Sequence, residues 1–181
     1  MKVRVISGIY GGRWLDAPDN QRTHPMGERI RNALFNSIAE EAKDARVLDA
    51  FAGTGAVGLE ALSRGAKDVT FVERDPLAFK ILSKNVASLG AQDSAKVVKS
   101  SVHSWIKTYA GAPFDIIFAD PPYHDLQLST VSELFGLLKP GGLMVLSHTG
   151  RGEGPNLSNE IVVVDNRGYG NATLTYFRRV E

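Results

Sequence analysis

Strand and helix signals alternate along the middle of the chain, and this alternation restricts the possible folds more than any other feature. Four segments with helix signals separate five short apolar runs, each typical of a buried strand. The predicted strands are Arg46–Phe51, Asp68–Val72, Ala95–Lys99, Phe114–Ala119 and Leu143–Ser147. Repeated strand–helix units imply a parallel sheet with helices on both faces. Ligands of such sheets bind at the carboxyl ends of the strands.

The two ends of the chain depart from this pattern. Lys2–Ser7 and Arg13–Asp16 predict a short hairpin across a glycine-rich turn. Met26–Ala42 is predicted to be a helix, because apolar residues recur along one face. Glu160–Asp165 and Asn171–Arg178 predict a pair of antiparallel strands near the C-terminus.

Composition favours a soluble globular domain. The chain has 181 residues, of which 43% are hydrophobic and 23% charged, and we predict one domain over residues 1–181. It has no cysteine, which excludes disulfides, thiolate metal sites and a cysteine nucleophile, and its four histidines lack metal-ligand spacing. No apolar stretch approaches the roughly 18–20 residues of a membrane span, and no signal-peptide pattern begins the chain, so a cytoplasmic location is expected.

Basic residues are concentrated near the N-terminus. Residues 1–36 hold six Lys and Arg against three acidic residues, whereas residues 37–150 hold eleven against thirteen. The basic extension could contact nucleic acid, or it could simply be a solvated segment. Trp14 lies in this extension and could stack a base, although packing beneath the hairpin is the favoured interpretation.

A glycine-rich loop follows the first predicted strand. Gly53, Gly55 and Gly58 have the G-x-G-x-x-G spacing that lets a backbone turn tightly and approach a ligand. Glu73 ends the second strand, where a carboxylate can bind a ribose diol. A dinucleotide and S-adenosylmethionine are both compatible with this loop. Asp49 favours S-adenosylmethionine, because a carboxylate attracts its ammonium and repels a pyrophosphate; Asp49 could instead cap the next helix.

A second motif, Asp120-Pro121-Pro122-Tyr123, directly follows the fourth predicted strand. Adjacent prolines fix φ at both positions and hold the backbone carbonyls rigid. Asp120 and a carbonyl of this segment can accept the two N–H groups of an exocyclic base amine, and Tyr123 offers a face for stacking. A plain turn would explain the prolines but not the flanking acid and aromatic residue.

Together the two motifs resemble the class I methyltransferases that use S-adenosylmethionine and methylate amino nitrogens of bases. Further similarity lies in Arg4–Gly8 with Gly12-Arg13, His24–Asn36, Gly58–Ala66 and Arg167–Leu174. These segments are similar to the RsmD-type family, which methylates guanine N2 in bacterial 16S ribosomal RNA. The resemblance implies a Rossmann-like α/β fold with a mostly parallel seven-stranded sheet, helices on both faces, and a short N-terminal β-hairpin and helix.

The resemblance also assigns roles to individual positions. The catalytic residues it implies are Asp120, Pro121, Pro122 and Tyr123. The cofactor-binding residues it implies are Asp49, Phe51, Gly53, Thr54, Gly55, Glu73, Arg74, Ser101, Val102 and Asp120. The RNA contacts it implies are Arg4, Arg13, His24, Arg29, Arg31 and Tyr123. His24 stands where the family usually has arginine, and Met26-Gly27 where it has threonines, which puts contacts by a threonine hydroxyl there in question.

The implied reaction is methyl transfer from S-adenosylmethionine to N2 of a guanine in 16S ribosomal RNA, within the small subunit or an assembly intermediate. A monomer without a metal ion is expected. Two alternatives remain open. The same Asp-Pro-Pro-Tyr motif serves adenine N6 in DNA or another RNA, and a non-catalytic ribosome assembly factor could share the fold.

Overall fold

A seven-stranded sheet organises the chain in the computed structural model, which describes residues 1–19, 26–150, 154–170 and 172–181. The strands are β1 (Lys2–Arg4), β2 (Trp14–Asp16), β3 (Arg46–Asp49), β4 (Asp68–Glu73), β5 (Ala95–Lys99), β6 (Phe114–Ala119), β7 (Leu138–His148), β8 (Ile161–Tyr169) and β9 (Ala172–Arg179). The α-helices are α1 (Glu28–Ser37), α2 (Ala39–Ala42), α3 (Ala56–Ser63), α4 (Pro76–Ser88), α5 (Val102–Thr108) and α6 (Leu128–Leu134). Short 3-10 turns span Gln92–Ser94 and Phe135–Leu137.

The large sheet is mostly parallel, as the sequence predicts. Its strand order is β5-β4-β3-β6-β7-β9-β8, and only β9 runs antiparallel to both of its neighbours. The chain leaves β3 toward β4 and β5 and then crosses back to β6 on the opposite side of β3. The direction of winding therefore reverses at β3 and β6, and a crevice at a reversal point is the usual ligand site of such sheets.

Helices cover both faces of the sheet, which confirms the predicted layers. Apolar residues of α1, α3 and α4 form one buried cluster with the sheet, and residues of α5 and α6 form the other. Every residue of α3 is buried, because this helix lies between the sheet and the N-terminal segment. Within the described ranges, no helix is long and apolar enough to cross a membrane.

Several predicted boundaries are wrong. The strand predicted over Leu143–Ser147 is β7, which begins at Leu138, and the strand predicted over Lys2–Ser7 is β1, which ends at Arg4. The helix predicted over Met26–Ala42 is divided at Ile38, where φ of −122° and ψ of 21° end α1 before α2 begins. Strand β8 continues to Tyr169 through residues whose polar side chains had indicated a loop. Its backbone pairs with β9 along this whole length, with Asn166 opposite Thr175, and such pairing does not require apolar side chains.

A buried carboxylate holds the N-terminal segment against α3. Glu60 is 0% exposed, and its two oxygens accept hydrogen bonds from the backbone N–H groups of Ile6 (2.9 Å) and Ser7 (3.1 Å). The same carboxylate lies 3.4 Å from Arg31 Nε and 2.8 Å from Arg64 Nε. Glu60 therefore joins three parts of the chain: the hairpin, α1 and α3.

Arg31 completes this buried cluster. Its guanidinium is 1% exposed and donates hydrogen bonds to the carbonyl oxygens of Met26 (3.0 Å) and Arg4. Burial lowers the pKa of Arg31, and the Glu60 carboxylate opposes that effect. The cluster thereby fixes α1 and the residues before it relative to the carboxyl edge of the sheet.

Replacing Glu60 by glutamine should destabilise the protein by about 3–5 kcal/mol, because Arg31 would remain buried without a counter-charge. The free energy of unfolding in urea measures this loss. Glu40→Gln is the matched control, because the Glu40 side chain is 88% exposed and pairs only with exposed Lys43 in the described structure. Equal stability of the two variants would contradict the role given to Glu60.

Candidate active site

A cavity of about 610 Å³ opens at the carboxyl ends of the central strands. The loops that follow β3, β4, β5 and β6 form its walls, and Met26, Gly27 and Ile30 at the start of α1 lie at its rim. Most of the site residues predicted from the sequence meet in this wall. They are Asp49, Phe51, Gly53, Thr54, Glu73, Arg74, Ser101, Val102, Asp120, Pro121, Pro122 and Tyr123.

Gly55 is the cofactor-loop residue that lies outside this wall. It precedes α3 with φ of 91°, a conformation that favours glycine. A Cβ there would lie 2.5 Å from Leu82 Cδ1, so this position packs toward α4. Only backbone atoms of Gly55 can therefore contact a ligand, and its predicted contact with a cofactor stays a prediction.

Gly58 lets α3 approach both β4 and the Asp49 carboxylate. Its backbone N–H donates a hydrogen bond of 2.9 Å to Asp49 Oδ2. A Cβ at this position would lie 2.3 Å from Phe71 Cε1 and 3.0 Å from Asp49 Oδ2, so the site has no room for one. Asp49 therefore caps the first turn of α3 and lines the cavity as well, which combines the two roles considered from the sequence.

Glu73 is fixed by backbone groups on both sides. Its Oε1 accepts a hydrogen bond of 2.8 Å from Gly53 N–H, and its Oε2 accepts one of 2.7 Å from Asp75 N–H. Burial raises the pKa of Glu73, and these amide contacts oppose the increase. Each oxygen keeps a further lone pair for a ligand.

Asp120 follows β6 and shares a partner with Tyr123. Ser147, 4% exposed on neighbouring β7, lines the same cavity, and its hydroxyl lowers the pKa of both side chains against the effect of burial. Pairing of Ala119 with Leu146 places the next residues of β6 and β7 side by side. Tyr123 remains 49% exposed at the cavity, which leaves its ring available for stacking.

Four acidic residues thus line one cavity, and three of them, Asp49, Glu73 and Asp120, are the ones predicted from the sequence; the fourth, Asp75, caps α4. Burial raises the pKa of Asp49 to about 7, and the nearby charges of Asp120 and Glu73 add to the effect, while the Gly58 amide opposes it. Burial likewise raises the pKa of Asp120 to about 7, against the hydrogen bond from Ser147. In the described structure no Lys or Arg forms an ion pair with any of the three. A cationic ligand would relieve this uncompensated negative charge.

We also searched the described residues for possible metal ligands. No group of three or more His, Asp or Glu residues is arranged to hold a metal ion among the residues the structure describes.

The residues expected to contact RNA differ in how exposed they are. Arg4, Arg13 and Arg29 lie at the surface, and His24 lies outside the described residues. Arg31 is 1% exposed, and its guanidinium faces Glu60 and two backbone carbonyls, so the RNA contact predicted for it is wrong. Helical spacing distinguishes it from Arg29, because Arg31 lies three and four residues before Leu34 and Phe35 and shares their buried face.

Two further residues differ from expectation. Ser147 belongs to the site although no motif pointed to it, because only pairing of β6 with β7 brings it beside Asp120. Trp14 is 59% exposed, so the packing predicted for it beneath the hairpin is wrong.

Known proteins share both the sequence and the architecture of the chain. A family model described as "Conserved hypothetical protein 95" matches residues 3–178. Ribosomal RNA small subunit methyltransferase D of Escherichia coli strain K12 is 40% identical over 141 residues, which cover 78% of this chain and 69% of that protein. The protein of the same name from Haemophilus influenzae is 37% identical over 148 residues, or 79% and 77% of the two chains. The solved structure of yhhF from Escherichia coli matches with a TM-score of 0.89 and 32% identity, over 100% of this chain and 99% of that chain.

Replacing Ser147 by alanine should raise the pKa of Asp120 further, because the hydroxyl that stabilises its charged form is lost. Carboxyl carbon chemical shifts, followed by NMR against pH, measure this titration directly. Ser132→Ala is the control, since the Ser132 hydroxyl donates to Leu128 O within α6. An unchanged or lower midpoint for Asp120 in Ser147→Ala would refute the contact.

Proposed function

The chain belongs to the family described as "Conserved hypothetical protein 95", the RsmD-type family, and we propose that it transfers a methyl group from S-adenosylmethionine to guanine N2 in 16S ribosomal RNA. The observation that carries the proposal is the position of Asp120, held by two prolines and Ser147 at the wall shared with Asp49 and Glu73. Relatives named ribosomal RNA small subunit methyltransferase D support ribosomal RNA as the substrate.

The residues of the cavity fit S-adenosylmethionine. This molecule carries two cationic groups, a sulfonium and an ammonium. The cavity wall carries four acidic residues, and in the described structure none of Asp49, Glu73 and Asp120 forms an ion pair with a Lys or Arg. We propose that Asp49 attracts the ammonium and that the free lone pairs of Glu73 accept the ribose hydroxyls. Ser101 and Val102, at the start of α5, would line the adenine. When bound, S-adenosylmethionine supplies an electrophilic methyl group.

Asp120 would orient the base that receives the methyl group. The lone pair of an exocyclic amine is delocalised into the ring and is a weak nucleophile. A carboxylate that accepts one N–H bond holds the nitrogen and favours its more tetrahedral form. The rigid Pro121-Pro122 backbone keeps this acceptor in place, so catalysis depends on positioning and electrostatics.

The nitrogen must lose one proton as it gains the methyl group. The positive charge that leaves sulfur appears on this nitrogen and makes its N–H strongly acidic, so the Asp120 carboxylate would accept that proton before water takes it. Tyr123 would stack on the target base, which must be unpaired to enter the cavity.

We infer that the substrate is the small subunit or an assembly intermediate, and that a monomer acts on it in the cytoplasm. Adenine N6 remains the second candidate target, because the same motif can accept its two N–H groups. A role in assembly without catalysis would leave buried Asp49 and the half-buried Glu73 and Asp120 without a purpose, and carboxyl groups are costly to take out of water.

Small subunits from cells that lack this protein, incubated with it and tritium-labelled S-adenosylmethionine, should acquire label in N2-methylguanosine after digestion to nucleosides. Asp120→Asn should bind S-adenosylmethionine but lose turnover by roughly 100-fold or more, because the amide oxygen still accepts an N–H bond but carries no negative charge and cannot take the proton. Asp93→Asn, in an exposed turn, is the matched control and should keep full turnover.

Label in N6-methyladenosine would refute guanine N2 as the target and support adenine N6 instead. A protein that neither labels RNA nor binds S-adenosylmethionine would overturn the enzymatic function altogether.

A further inference from the structure

The N-terminal hairpin has one buried face and one exposed face. Leu15 is 2% exposed and, with Val3 opposite it, packs into the core. The alternate positions point outward, since successive side chains of a strand lie on opposite faces. Trp14 and Arg4 are paired on this outer face, and Trp14 is 59% exposed.

The hairpin is held firmly although it presents an exposed aromatic ring. Ile9 N–H donates to Ser63 O (2.8 Å), and Tyr10 N–H donates to the Ser63 hydroxyl (2.9 Å). Asp16 N–H donates to Asn85 Oδ1, and Asn85 Nδ2 donates back to Asp16 O, both at 2.9 Å. A fixed aromatic side chain loses little conformational entropy when it binds a partner.

Cations outnumber acids on the hairpin and the elements that contact it. Lys2 and Lys84 share Asp16 as their ion-pair partner, and Arg4 pairs with Glu28. The side chains of Lys2, Arg4 and Lys84 are 66%, 46% and 72% exposed, against 37% for Asp16 and 47% for Glu28. Arg13, next to Trp14, adds a fourth exposed cation and donates one hydrogen bond to Ser88 O. An aromatic ring among cations is typical of surfaces that bind single-stranded nucleic acid, because bases stack on the ring and cations contact phosphates.

This outer face continues to the cavity. Arg4 forms an ion pair with Glu28, the first residue of α1. Gly27, which comes directly before Glu28, lies in the cavity wall. An RNA strand with its target base in the cavity could therefore pass over Arg4 toward Trp14.

We propose that Trp14 stacks on an unpaired base of the RNA substrate outside the target nucleotide, while Lys2, Arg4 and Arg13 contact its phosphates. This inference rests on the proposed function and adds a second contact point for the same substrate. The excess of cations favours RNA over a protein partner on this face.

Trp14→Ala should raise the KM for the RNA substrate by roughly 5- to 150-fold, the range expected for one lost base stack. Turnover at saturating RNA and the affinity for S-adenosylmethionine should not change, because Trp14 is absent from the residues that line the cavity. Trp14→Phe should keep most of the RNA affinity. Val163→Ala is the control for loss of an exposed apolar side chain, since Val163 is 52% exposed on edge strand β8.

Tryptophan fluorescence gives a readout that does not depend on methylation. The chain has two tryptophans, and Trp105 is only 7% exposed, so single-stranded RNA should quench the emission of Trp14. The quenching should disappear in Trp14→Phe. Quenching that persists in this variant, or an unchanged KM in Trp14→Ala beside active wild-type protein, would overturn the inference. Wild-type protein that shows the quenching but methylates no RNA would support the stacking contact and refute the proposed function.

Discussion

Parallel pairing of β3 with β6 is the constraint on which the site depends. It brings the ends of two strands together and places Asp49 and Asp120 at one cavity, with Glu73 beside them at the end of β4. Burying these carboxyl groups near one another disfavours their charged forms, as the raised pKa values of about 7 for Asp49 and Asp120 show.

A second buried charge fixes the entrance of the cavity. Glu60 ties the hairpin, α1 and α3 together, although none of its partners belongs to the carboxyl cluster. The start of α1 consequently lies at the cavity rim, and the outer face of the hairpin continues from that rim. One rigid attachment thereby sets both the cavity for a small molecule and the surface proposed for RNA.

Features coded by local pattern were predictable from the sequence. The order of strands and helices, the glycine loop and the Asp-Pro-Pro-Tyr segment each depend on neighbouring residues, so Asp49, Glu73 and Asp120 could be expected at the strand ends. Features that depend on distant contacts were not predictable. The burial of Arg31 requires Glu60 from another helix, and the place of Ser147 requires the register of β6 with β7.

Proton release on binding of S-adenosylmethionine tests most directly whether the three carboxyl groups hold a cationic methyl donor. Titration calorimetry at pH 7, in two buffers with different ionisation enthalpies, measures the protons exchanged. A bound cation should lower the pKa values of Asp49 and Asp120 from about 7, so binding should release protons at pH 7. At about pH 9 both carboxyl groups are already charged, and the amine of the free ligand, with an ordinary pKa of about 8, should instead take up a proton as it becomes the bound ammonium. Binding at pH 7 without proton release, or with proton uptake at that pH, would contradict this account.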